Sequence, residues 1–207
     1  MFVVLGAVTA PRVGLRSHVF DLATGRKPDW AAFRRSFPAS FAIGAGLFGV
    51  VAVLDAGFAV VVTGGTTVTG GDAASLGVLA QSAPTRLLYG GITEELLLRW
   101  GVMAPLAWFL WRARAAVWRP TPGPTAGTMW AAIVGSALLF GLGHLPALAA
   151  SLGLTQALVV RTVLLNAVAG VGLGWLFWRR SLEAAMVAHA AFHVALLVVS
   201  GLVILAH

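Results

Sequence analysis

The chain of 207 residues contains no cysteine, which excludes disulfides and thiol-based catalysis. It is also poor in charge. Only 10% of its residues are charged, against about 25% in soluble domains, and only seven are acidic. The first ten residues lack the basic segment that opens a secretory signal. No internal repeat is evident. What fills the sequence instead is apolar: 59% hydrophobic residues and a mean hydropathy of +0.91. The apolar residues come in runs of about 20 or more, the length that crosses a bilayer as a helix. This predicts an all-α fold, a polytopic transmembrane helix bundle of about five to six spans.

The net charge of +7 does not point to nucleic acid, because the arginines stand at the ends of apolar runs. Basic inner loops of a membrane protein produce the same excess. Met1 to Ala10 is too short to span alone and reads as a truncated first helix or an interfacial segment. Residues 11–36 are basic, with Trp30, Phe33 and Phe37 suited to an interfacial helix. Residues 1–36 thus form an N-terminal segment, and 37–207 the membrane domain. Its spans are expected at Phe37–Val62, Pro84–Trp111, Thr128–Ser151, Leu154–Trp178 and Leu182–Ala206, with Pro84 in the first turn of the second. Residues 11–36, 112–127 and 179–180 hold nearly all the arginines, and residues 63–83 and 151–155 hold none. Five spans alternate these loops consistently, which places the basic ones in the cytoplasm.

Against this background Glu94-Glu95-x-x-x-Arg99 stands out. A charged side chain at mid-bilayer costs about 2.5–3.5 kcal/mol on insertion scales, so it normally faces the bundle interior and marks function. Glu95 and Arg99 are four apart and can pair on one helix face. Glu94 is rotated about 100° from Glu95 in an α-helix and needs a partner elsewhere. His144 follows in the third span. His189 and His193 share one face of the fifth. Counting about 1.5 Å per residue from the outer ends puts Glu94, His144 and His193 within reach of one another. His189 comes out deepest and fits least comfortably. An i, i+4 histidine pair is also a zinc-ligand spacing, so Glu94, His144, His189 and His193 could surround a metal or form a metal-free site. Asp55, Arg161 and Asn166 are given structural roles, with Asp55 able to pair with Arg161 across the bundle.

Glu94-Glu95-x-x-x-Arg99, Phe140-x-x-x-His144 and His189-x-x-x-His193, in order on three spans, resemble the three motifs of the CPBP family. That family comprises CAAX-processing endopeptidases and the bacteriocin-processing and self-immunity proteins also called Abi. The resemblance covers about residues 75–207, and it departs from the family pattern at His193, where asparagine is usual. It implies an intramembrane glutamate-dependent endopeptidase. Glu94 and His144 would activate water, His189 and His193 would stabilise the oxyanion, and Glu95, Arg99 and Phe140 would support them. The substrate would be a membrane-associated peptide or protein, the surroundings a lipid bilayer, and the location a bacterial plasma membrane. No cofactor is implied, zinc being the alternative. The competing readings are a non-enzymatic self-immunity or partner-binding protein and an ion-coupled transporter. The latter is disfavoured by the missing inverted repeat.

Overall fold

The computed structural model describes residues 1–62, 75–117 and 120–206. The glycine- and threonine-rich stretch 63–72 and Arg119 of the basic loop lie outside the described residues. All regular structure among the described residues is helical. In chain order it runs α1 (Phe2–Thr9), α2 (His18–Ala23), α3 (Trp30–Val62), α4 (Leu76–Pro84), a π-helix (Thr85–Met103), α5 (Ala104–Val117), α6 (Ala126–Gly143), α7 (Leu145–Ser151), α8 (Gln156–Arg179) and α9 (Leu182–Ala206).

The helix starts follow from local chemistry. Hydroxyls of Ser17, Ser75, Thr125 and Thr155 accept the backbone N–H three residues on, at 3.1–3.3 Å, at the starts of α2, α4, α6 and α8. Asp29 does the same for α3, accepting from the Ala32 N–H at 2.8 Å. That cap sets α3 running from Trp30 rather than Phe37, so Arg34 and Arg35 belong to its first turns and not to a separate interfacial helix. Gly153, at φ 77° between α7 and α8, occupies the left-handed region that side chains disfavour.

Four helices are long and apolar enough to cross a membrane: α3, α6 continued by α7, α8 and α9. The expected second span is a continuous helical rod formed by the π-helix and α5, less apolar because it carries the charged motif. The protein is an integral membrane protein. Its outward faces carry exposed apolar side chains such as Val53, Phe109, Leu202 and Leu205, which in lipid need no cover.

Helix α9 packs on α3 and on the π-helix, while α8 pairs with α6 and also touches α3 and α9. Small residues bring these backbones together. A Cβ at Gly141 would lie 2.6 Å from the Val163 carbonyl oxygen, and one at Gly170 would lie 2.9 Å from Ala137 Cβ. Membrane helices associate through such close packing rather than through a hydrophobic effect. The core under the site is built from Trp100, Met103, Met129, Ile133, Leu173, Leu176 and Phe177.

The N-terminal segment is fastened to this core. The Trp100 indole N–H donates to the Val3 carbonyl at 3.1 Å, holding α1 against the π-helix. Glu183, at the start of α9, accepts from the Ser17 hydroxyl at 2.6 Å and from the Val19 N–H at 3.0 Å.

Candidate active site

The motif helix departs from the expected geometry. Pro84 is the last residue of α4, not a first-turn residue of the second span, and i→i+5 bonding begins directly after it. Proline has no N–H to donate to the carbonyl four residues back, and its ring crowds that carbonyl. Wider winding is one way for a helix to continue past it. π-turns are rare and gather at functional sites. Here the π-winding extends from Thr85 to Met103 and carries the whole glutamate motif.

Glu95 and Arg99 pair as expected, with Arg99 Nε 3.3 Å from Glu95 Oε2 and both side chains at 0% exposure. The contact has ion-pair distance but not hydrogen-bond geometry, and none of the three guanidinium nitrogens has a hydrogen-bond partner among the described residues. The Arg99 guanidinium instead lies 5.2 Å from the centre of the Phe140 ring, within cation–π range. Charge and the ring face hold it.

Glu95 has a second partner. Its Oε1 accepts a 2.9 Å hydrogen bond from His189 Nδ1. A carboxylate only accepts, so Nδ1 carries the proton and Nε2 is left facing the other way. Nε2 lies 3.8 Å from Glu94 Oε2. The two adjacent glutamates therefore flank opposite nitrogens of one imidazole. An α-helix would have turned them about 100° apart; wider winding rotates the chain less per residue and keeps both within reach. His189, the least comfortable fit by depth counting, lies at the centre of the cluster. The depth count began at Pro84, whereas the helical run begins at Leu76, which carries Glu94 deeper and level with His189.

His144 stands at the C-terminal end of α6, where it separates that helix from α7. Its Nδ1 is 2.8 Å from the carbonyl oxygen of Phe140, one turn back. A carbonyl cannot donate, so this nitrogen must, leaving Nε2 as the basic site. The Phe-x-x-x-His spacing thus fixes a tautomer. The Phe140 ring also meets His144 edge-on at 4.8 Å and His189 at 6.0 Å. With Arg99 over its face, Phe140 joins three of the polar groups.

His193 lies flat against His189, with ring centroids 4.9 Å apart and planes at 21°. Its Nε2 packs on Gly90, where any Cβ would collide with the imidazole. Its Nδ1 is buried without a hydrogen-bond partner among the described residues. Stacked rings turn faces rather than lone pairs toward each other. Among the described residues no three His, Asp or Glu side chains are grouped so as to hold a metal ion.

Glu94, Phe140, His144, His189 and His193 all line one cavity of about 390 Å³, a size typical of ligand sites. Asp55, Arg161 and Asn166 line it as well. Arg161 Nε donates to Asp55 Oδ1 at 2.7 Å, the cross-bundle pairing expected from the sequence. Both are nonetheless walls of the cavity, not remote struts. Asn166 turns its amide N–H back to the Thr162 carbonyl at 2.8 Å. Arg86 also lines the cavity and was missed in the sequence. Its signal was spacing: Arg86, Gly90 and Glu94 are successive fours along one helix.

The family model for type II CAAX prenyl endopeptidase Rce1-like proteins matches residues 78–195. The chain belongs to that family. The match contains all three motifs and begins within α4. Membership points to a peptide-bond hydrolase embedded in the membrane. No curated protein and no solved structure matches the chain.

Proposed function

We propose that this family member is an intramembrane endopeptidase that uses Glu94 and His144 to activate the attacking water. The observation that carries the reading is the meeting of Glu94, His144 and His189 on one cavity, each from a different helix. Family membership supports the reaction class, and the geometry is consistent with these roles.

Water held between Glu94 and the free Nε2 of His144 attacks the scissile carbonyl carbon, and its proton passes to one of these two bases. The carbonyl oxygen becomes an oxyanion. His189 stabilises it from Nε2, which must carry a proton for that role because Nδ1–H is held by Glu95. The imidazolium charge is then opposed by carboxylates on both sides. Collapse of the tetrahedral intermediate breaks the C–N bond, and the stored proton leaves with the amine. The products are a new carboxylate and a new amine terminus.

Glu95 and Arg99 act through His189, fixing its tautomer and ring orientation. His193 contributes by packing His189 into place, and by donating to the oxyanion only if its ring turns away from Gly90. The substrate is a membrane-associated peptide or protein, and the reaction as written needs no cofactor. Zinc, the alternative raised by the histidine spacing, would have to draw on Glu94, His144, His189 and His193, which are not grouped to hold a metal ion.

The arginine-rich segments lie at the start of α3 and the ends of α5 and α8, and we place these in the cytoplasm. The Asp55–Arg161 end of the cavity then faces away from the cytoplasm. The test of the reaction is hydrolysis of membrane-anchored peptides by purified protein in nanodiscs. Glu94→Gln and His144→Ala should each abolish cleavage while the folded protein still inserts; full turnover by either variant removes that residue from the mechanism.

A further inference from the structure

The arginine-rich end of the molecule holds another cavity, separate from the one where Glu94 and the histidines gather. Its volume is about 310 Å³, and its lining includes Gly14, Arg16, Ser17, Phe20, Asp21 and Arg26. These residues all precede the family match at 78–195, so the cavity is built by the N-terminal segment and not by the matched region.

Its attachments fix its level in the membrane. The Arg16 carbonyl accepts from the N–H of Leu182, the first residue of α9, at 2.9 Å, and Arg179 and Arg180 stand just before that residue. The His18 ring packs against Trp30 and Phe33 at the start of α3, beside Arg34 and Arg35. The basic ends of three helices therefore meet around the cavity, at the depth where a bilayer turns from acyl chains to phosphate. On its other side α1 leads into it through Pro11, and α1 leaves Phe2, Val3, Val4, Leu5 and Val8 exposed. An uncovered apolar helix beside an arginine-lined pocket offers the two surfaces that an acyl chain and its headgroup need.

The charges in the pocket do not cancel. Arg26 Nε lies 3.1 Å from Asp21 Oδ1, and its guanidinium rests 5.3 Å from the centre of the Phe20 ring. Arg16 is exposed, and its guanidinium makes no hydrogen bond or ion pair among the described residues. One positive charge is left over, equal and opposite to that of a phosphodiester. A guanidinium fork grips two phosphate oxygens at once, and the Asp21 carboxylate can accept from headgroup hydroxyls.

We propose that this cavity binds the headgroup of an anionic phospholipid of the cytoplasmic leaflet, with Arg16 on its phosphodiester. The site is tied to the motif helix. The Phe20 ring that lines it packs on Trp100 at 5.1 Å, and the Trp100 indole holds α1 through the Val3 carbonyl. Ser17 is bonded to Glu183 of α9. A lipid seated here holds α1 and α2 against both of these helices.

The test uses the full-length protein in neutral detergent, titrated with phosphatidylglycerol or phosphatidylcholine, with bound lipid counted by native mass spectrometry. Phosphatidylglycerol should bind about tenfold or more tightly, the scale of one charge-assisted contact. Arg16→Gln should bring that ratio to about one, with Arg16→Lys in between; both keep the backbone carbonyl that Leu182 uses. Arg34→Gln/Arg35→Gln removes two exposed arginines from the same end and should leave the ratio unchanged. Phosphatidylglycerol should also slow amide hydrogen exchange in α1 and α2 of the wild type but not of Arg16→Gln. Inorganic phosphate should neither displace the lipid nor slow exchange.

Equal affinity for the two lipids overturns the proposal, as does a preference or a slowed exchange that survives Arg16→Gln. An equal loss in Arg34→Gln/Arg35→Gln also overturns it, because the attraction is then spread over the surface. Displacement by inorganic phosphate does the same, making the pocket a site for free anions. No readout depends on cleavage, so the endopeptidase reading can fail while this site stands.

Discussion

His189 and Glu95 are joined by a 2.9 Å hydrogen bond across 94 residues of chain, and this bond decides which imidazole nitrogen faces the cavity. Glu95 also neutralises the fully buried Arg99. Glu95→Gln should therefore act twice. Uncompensating a buried arginine costs about 3–5 kcal/mol, visible as a lower thermal unfolding midpoint in detergent. The looser His189 should lower kcat with little change in KM. A Glu95→Gln/Arg99→Met double variant should recover part of the stability but not the kcat. Recovery of both would remove Glu95 from the positioning of His189.

His189→Ala should cost far more activity than His193→Asn. Losing an oxyanion donor typically lowers kcat by about 10²–10³. Asparagine at 193 restores the usual residue of the family pattern and supplies an amide donor in every protonation state. Activity of His193→Asn equal to or above wild type is expected. An equal loss in both variants would mean that the stacked histidine itself takes part.

The Gly90–His193 contact predicts a paired effect. Gly90→Ala places a methyl group where the His193 imidazole lies and should reduce both stability and turnover. His193→Ala opens that space, so Gly90→Ala should be nearly silent on stability in a His193→Ala background. Simple additivity in this double-mutant cycle would show that the contact is not the cause.

Asp55 and Arg161 form a pair whose halves depend on each other. Asp55→Asn strands a nearly buried arginine and should destabilise the bundle by about 3–5 kcal/mol. The exchange Asp55→Arg with Arg161→Asp should restore much of it. Thermal unfolding of the purified variants checks this, and an unchanged midpoint for Asp55→Asn would contradict it.

The orientation can be read directly because the natural chain has no cysteine to remove. Cysteine placed at the exposed Leu152, between α7 and α8, should react with an impermeant maleimide in intact cells. Cysteine at Pro122, in the basic loop, should react only after permeabilisation. The reverse pattern would put the arginine-rich loops outside.

Much of this was legible in the sequence because charge in an apolar chain is conspicuous. Glu95–Arg99 followed from helical spacing, and Asp55–Arg161 from the need of each for a partner. The ordered motifs led to the family found. What stayed hidden depended on backbone winding. Nothing in Tyr89-Gly90-Gly91 announces i→i+5 bonding, so Glu94 and Glu95 were expected to diverge; His189 was expected to sit too deep because the second span was counted from Pro84 and not from Leu76. Arg86 escaped notice because a single arginine near the start of a span reads as an interfacial charge. Only the shared cavity distinguishes it.

The π-winding makes spacing itself a determinant of the site. Glu94 and Glu95 meet one imidazole because of how far the chain has turned since Pro84. Inserting one alanine between Gly91 and Ile92 would leave every side chain of the cluster unchanged and swing both carboxylates away from His189. The arrangement of the candidate site is thus encoded as much by counting from the proline as by the residues that carry the charge.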